Sequence, residues 1–242
     1  MTTQIPIHQG EKNVFRHLKL ITTFVMGSML ILGQILQMSA TSQPQERSWQ
    51  LIKEESGMRI FARDVLGSEY KELKGTITVD ASLQNALALL TDPLKCSHLY
   101  SSCMHAEVIN RVSDNEIYVY TIYDTPWPFK NRDAISHCVI AHDNNNKQFI
   151  LRCVGKPNYL ANKKKLVRLP KLRTIWKIEK KQKHKIHVVY KVFNDPGGNV
   201  TPSLSYRGKK SSMVETLRNM KRLLTESHGS IVLPSDTQVV SD

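Results

Sequence analysis

Residues 125–133 read Thr-Pro-Trp-Pro-Phe-Lys-Asn-Arg-Asp, and the way this segment must lie decides how the chain around it is arranged. Each proline fixes its own φ and pushes the residue before it toward extended geometry, so Trp127, held between Pro126 and Pro128, sits in a rigid extended turn. On one side lies EIYVYTIYD, residues 116–124, and on the other AISHCVIAHD, residues 134–143. In both, β-branched and aromatic residues alternate with polar ones, as in strands. The segment therefore joins two strands, with Arg132 and Asp133 leading into the second. Neighbours on a strand point to opposite faces, so one of these two charges faces inward. If it is Arg132, the buried guanidinium needs a partner.

The same alternation continues outward on both sides. AEVINRV at 106–112 precedes the pair; KQFILRCVG at 147–155, KLVRLPKLRTIWKIEKK at 165–181 and KIHVVYKVFND at 185–195 follow it, with turn-forming residues at 143–146 and 181–184. Six strands in succession predict a meander. Upstream, MRIFARDV at 58–65 and YKELKGTITV at 70–79 read as a hairpin, and ASLQNALALLTD at 81–92 reads as a helix capped by Asp80 and ended by Asp92-Pro93. Residues 46–55, with Trp49 and Leu51 or Ile52 on one side, are expected to form a short amphipathic helix. Asp195-Pro-Gly-Gly198 stops the last strand, and from Ser211 Met213, Val214, Leu217, Met220 and Leu224 recur at helical spacing. A meander must bury its apolar face, and the element of matching length is this last helix. The fold class is thus α+β, a curved antiparallel sheet wrapped around a long C-terminal helix, with room for an interior cavity.

At 242 residues, 40% hydrophobic and 23% charged, the chain has the composition of a folded protein with one substantial core. Its formal charge of +13 draws it toward phosphate-bearing surfaces without choosing among them. Between Lys163 and Lys191 twelve Lys or Arg residues face one acid, Glu179. That run is either a solvated sheet face or a docking face for anionic headgroups. Four cysteines, Cys96, Cys103, Cys138 and Cys153, allow three pairings if all are oxidised, and none of these is readable from sequence. Cys96 and Cys103 with His98 and His105 offer zinc-type ligands, but the commoner zinc spacings leave a wider gap. Buried cysteine acting as a small hydrophobe is preferred to a zinc site, and the disulfide state of the four stays open.

Lys12, Arg16 and Lys19 precede an uncharged run from Leu20 to Leu36, followed by Ser, Thr, Gln and Pro, which is the order of a secretory signal. As a helix this run reaches about 25 Å, short of the roughly 30 Å hydrocarbon thickness, so a cleaved signal is favoured over an anchor. Met38 is bulky for a cleavage site, and the signal-anchor alternative stays open. The division expected is residues 1–40 for signal or anchor, 41–45 for a linker, 46–227 for the domain and 228–242 for a loose tail. Export, to a bacterial periplasm or the exterior, makes nucleic acid an improbable partner and anionic envelope lipid a reachable one.

The segment 125–133 resembles the P-W-P-x-x-x-R-D segment of START domains, the lipid-transfer family named for steroidogenic acute regulatory protein. Trp49 with Glu54-x-x-Gly-Met-Arg-Ile-Phe-x-Arg63 resembles that family's opening, and Lys71 to Gly75 its second strand. Asp195-Pro-Gly-Gly198 before Leu217-Arg-Asn-Met-Lys221 resembles its close. The likeness spans about residues 46–226, and it departs at 199–210, where the family's apolar, tryptophan-containing stretch is replaced by a polar one.

The resemblance implies a helix-grip fold that encloses one sterol, phospholipid or fatty acid, with no cofactor and no catalysis. The ligand-binding candidates are Arg132, Trp127, Tyr123, Asp133, Leu217 and Met220. Trp127 is either a plug for one end of the sheet or a cavity wall, and Arg132 either a structural ion-pair partner or a headgroup contact. Lys163, Lys164, Lys165, Lys209 and Lys210 are the candidates for contact with an anionic membrane. No nucleophile–base, zinc-protease or nucleotide-binding motif is present in the sequence. Two alternatives stand beside the lipid carrier. One is a cyclase- or hydrolase-like enzyme of the same superfold, in which Arg132 or Tyr123 polarises a substrate. The other is a basic-surface protein acting through residues 163–191.

Overall fold

A computed structural model describes residues 47–226 apart from 144 and 146. The predicted signal or anchor, the linker and the tail fall outside the described residues. Ten strands form one sheet: β1 (Gln50–Glu55), β2 (Met58–Arg63), β3 (Glu72–Val79), β4 (Cys103–Ser113), β5 (Glu116–Tyr123), β6 (Arg132–Asp143), β7 (Gln148–Gly155), β8 (Val167–Arg168), β9 (Lys171–Gln182) and β10 (Lys185–Asp195). Their spatial order is β1-β2-β3-β10-β9-β7-β6-β5-β4, with β8 set beside β6. All these pairs are antiparallel except β6–β8. The meander from β4 to β10 is thus continuous, and β10 then pairs with β3 to carry the N-terminal hairpin. Helix α1 (Leu83–Thr91), a 3-10 turn (Pro93–Lys95) and the one-turn helix α2 (Cys96–Leu99) link β3 to β4; α3 (Pro202–Glu226) ends the domain.

The core lies between the strands' inner residues and α3. Ile77 on β3, Ile178 on β9, and Ile186 and Val188 on β10 are buried, with hydrophilic neighbours between them. They meet Met213, Leu217, Met220 and Leu224 of the helix. Gly75 sets the distance of approach, since a Cβ there would lie 2.6 Å from Leu217 Cδ1 and 2.7 Å from Met213 Sδ. Only a residue without a side chain lets α3 sit this close to β3.

Several local expectations are corrected. Residues 50–55 are a strand, not a helix: Ser56–Gly57 turn the chain back and β2 takes up the backbone groups, from Gln50↔Ala62 to Glu55↔Met58. Trp49 lies beneath Arg63 and Lys74, 4.4 and 4.7 Å from its ring centre, a cation–π site outside any helix face. The cap of α1 is Ser82, whose Oγ accepts from the Asn85 N–H at 3.1 Å, not Asp80. Residues 165–181 break at Pro170, which has no N–H to pair, into β8 and β9. The last helix starts at Pro202, nine residues before Ser211; proline is well placed in a first turn, and Thr201 Oγ1 accepts from the Leu204 N–H at 3.4 Å. The cysteines are not free. Cys96 bonds Cys103, and Cys138 bonds Cys153 across directly opposed positions of β6 and β7, so Cys96 and Cys103 hold each other, not zinc.

Candidate functional site

Sheet and helix do not close on each other completely. A cavity of about 940 Å³ remains between the inner face of the meander and the first half of α3, near the upper end of the range of about 300–1,000 Å³ for small-molecule sites. Its wall is mostly apolar, with Leu90, Val119, Ile140, Leu151, Val192 and Met213 contributed by six different elements. One side is aromatic. The indole of Trp176 stacks on Tyr190 at 4.0 Å between centres and donates from Nε1 to the Tyr100 hydroxyl at 2.9 Å. Burial pushes the Tyr100 and Tyr190 phenols upward, which keeps both neutral at ordinary pH. These three were not singled out from the sequence, although Tyr190 and Trp176 sit opposite each other in the β10–β9 register.

Arg132 and Asp133 occupy opposite faces of β6, as the strand period requires. Asp133 is 1% exposed, away from the cavity, and accepts from Arg168 Nε at 3.0 Å and Nη2 at 2.8 Å. Arg168 also donates to the carbonyls of Pro157 and Leu160, so it ties the loop after β7 to the sheet and is not part of an outer basic face. Arg132 borders the cavity and is 5% exposed. Its donors go to carbonyls, from Nε to Pro196 at 3.3 Å, from Nη1 to Lys130 at 2.5 Å and from Nη2 to Gly197 at 3.4 Å. Gly197 and Gly198 have φ of +61° and +63°, a conformation that glycine adopts freely and that shapes this turn over the guanidinium. Burial lowers the pKa of Arg132.

The other predicted residues divide. Tyr123 lines the cavity, and burial raises its phenol. Leu217 and Met220 are fully buried in the core and do not border the cavity; the helix's share of the wall runs from Leu204 to Glu215 and includes Lys209 and Met213. Trp127 borders the cavity yet is 92% exposed, so its indole neither plugs the sheet nor walls the interior, but stands in solvent at the opening. Lys163, Lys164 and Lys165 are exposed in the loop after β7, with Lys163 Nζ 4.2 Å above the Tyr120 ring. Lys209, expected at a membrane surface, turns inward and donates to the carbonyls of Lys71 at 3.0 Å and Asn194 at 3.1 Å; Lys210 is half-buried. Among the described residues no helix is long and apolar enough to cross a membrane.

This architecture is that of StAR-related lipid transfer (START) domains. The chain superimposes on the STAR-related lipid transfer protein of Xanthomonas axonopodis with a TM-score of 0.67 at 24% identity, covering 73% of this chain and 98% of that one. Human StAR-related lipid transfer protein 5 matches with a TM-score of 0.69 at 13% identity, over 86% and 99% of the two chains. In sequence, an uncharacterized protein of Pseudomonas aeruginosa is 26% identical over 173 residues, 72% of this chain and 85% of its own length. No sequence-family model matches the chain.

Proposed function

We propose that this protein is a lipid carrier that takes one hydrophobic molecule into the cavity beneath α3 and holds it without transforming it. The observation that carries this reading is the large, mostly apolar interior in a domain of this size, which an apolar ligand would fill at a gain of about 25 cal/mol per Å² of its buried surface. The START likeness supports it, since the solved structures of that fold named above are lipid transfer proteins by name. The protein acts outside the cytoplasm, docked on anionic membrane. Support for that lies in the basic-then-apolar order of residues 12–36, in two disulfides of the kind that persist in oxidising compartments, and in Trp127 exposed at the cavity opening. The test is native mass spectrometry of gently purified full-length protein, then solvent extraction. A stoichiometric lipid is expected; protein that stays empty when offered sterols, fatty acids and phospholipids would overturn the carrier reading.

A further inference from the structure

The cavity has one polar end, where two cations border it without a direct ion pair. Arg132 reaches it from the start of β6 and Lys209 from α3, and both converge on the 194–197 turn, Arg132 on the carbonyls of Pro196 and Gly197, Lys209 on that of Asn194. Neither cation is within ion-pair distance of a carboxylate among the described residues. Asp195 and Glu72 favour the Lys209 charge from beyond ion-pair distance; the Asp195 Oδ1 accepts from the Gly197 N–H at 2.9 Å, and Glu72 pairs with Arg63 and Arg173. The acids that border the cavity, Asp92, Asp114, Asp124 and Glu215, pair with neither. The side-chain oxygen of Asn194, which also borders the cavity, is buried with no hydrogen-bond partner. A buried acceptor left unmet and two buried cations met only by neutral carbonyls are each costly; an anion would answer the two cations, while the Asn194 oxygen calls for a donor such as a hydroxyl on the same headgroup.

We infer that this end of the cavity is a headgroup site, and that the ligand is an anionic amphiphile whose carboxylate or phosphate lies between Arg132 and Lys209. This rests on the carrier reading and narrows it, because a neutral sterol or alcohol would leave both cations unanswered. Burial brings the Lys209 ammonium down to about 8, close enough to neutrality for an arriving anion to hold its proton in place. The apolar wall beyond Met213 receives the chain.

The test compares ligands of equal chain and different head on delipidated full-length protein, by calorimetry. Palmitate is set against methyl palmitate, and 1-palmitoyl lysophosphatidate against monopalmitoylglycerol. Charge-assisted hydrogen bonds to two buried cations predict a preference of about ten- to a hundredfold for at least one anion over its neutral partner, and the pair with the larger ratio tells carboxylate from phosphate. That ratio is expected to fall toward one in Lys209→Gln and in Arg132→Gln; should the latter fail to fold, the helix-borne Lys209 variant decides alone. Neutral ligands that bind as tightly as the anions would overturn the headgroup site and leave the carrier intact. If none of the four binds, the headgroup site falls, and the carrier reading is decided separately by the extraction and the offer of sterols and phospholipids.

Discussion

Asp133 is surrounded differently from its neighbour. Its carboxylate lies 1% exposed against the bidentate fork of Arg168, and removing one partner of such a pair leaves the other buried and unanswered. Asp133→Ala is therefore expected to lower stability by about 3–5 kcal/mol, measured by urea unfolding. A loss within the scatter of surface substitutions, about 0.5 kcal/mol, would mean that water reaches Arg168. That Arg132 and Asp133 face apart is legible in two adjacent strand residues. Which one faces inward is not, because two of the three carbonyls that receive Arg132 come from more than sixty residues further along the chain, and the partner of Asp133 from 35 residues away. Trp127 teaches the complementary lesson. Two prolines fix its backbone, but they say nothing about which side of the sheet's end the indole leaves from.

At the scale of elements, the contact of α3 with β3 depends on one missing methyl group. Gly75→Ala would place a Cβ against Leu217 Cδ1 and Met213 Sδ, both at the ends of flexible side chains, so accommodation rather than collapse is expected. The cost of such overpacking is about 1–3 kcal/mol, checked by thermal melting, and a companion Leu217→Ala should recover part of it. A variant as stable as the parent would show that the helix rides up freely. The meander was legible because period-2 alternation over strands of eight to twelve residues has few competing readings. Two elements were not. In 46–55 the apolar positions are too few to separate a 3.6-residue period from a 2-residue one. In 202–210 the polar run Ser203 to Lys210 conceals a helix whose inner side meets the cavity's polar end, so the usual apolar stripe is absent there.

For the molecule as a whole, Trp127 at the opening and Lys163 to Lys165 on an exposed loop offer an aromatic anchor and a positive charge to a bilayer. Co-sedimentation with vesicles containing anionic lipid should weaken in Trp127→Ala and in the triple change of Lys163, Lys164 and Lys165 to Ser, each lysine near the surface being worth about 1 kcal/mol. Equal sedimentation of parent and variants would move the docking face elsewhere. The order of elements made a sheet wrapped on a helix, with room for a cavity between them, readable from sequence, whereas the size of that cavity was not, since volume left unfilled depends on every wall at once. The way the sheet is joined also bears on how it comes into being. Strand β3 pairs with β10, from Ile186↔Val79 to Val192↔Leu73, across more than a hundred residues. Until β10 exists, one edge of the opening hairpin stands open with nothing in the chain to cover it, so a nascent or truncated chain ending before residue 185 carries an aggregation-prone border. Acquisition of the fold is governed by its latest strand, and the slow closure expected of such distant contacts makes β10 the element that commits all the rest.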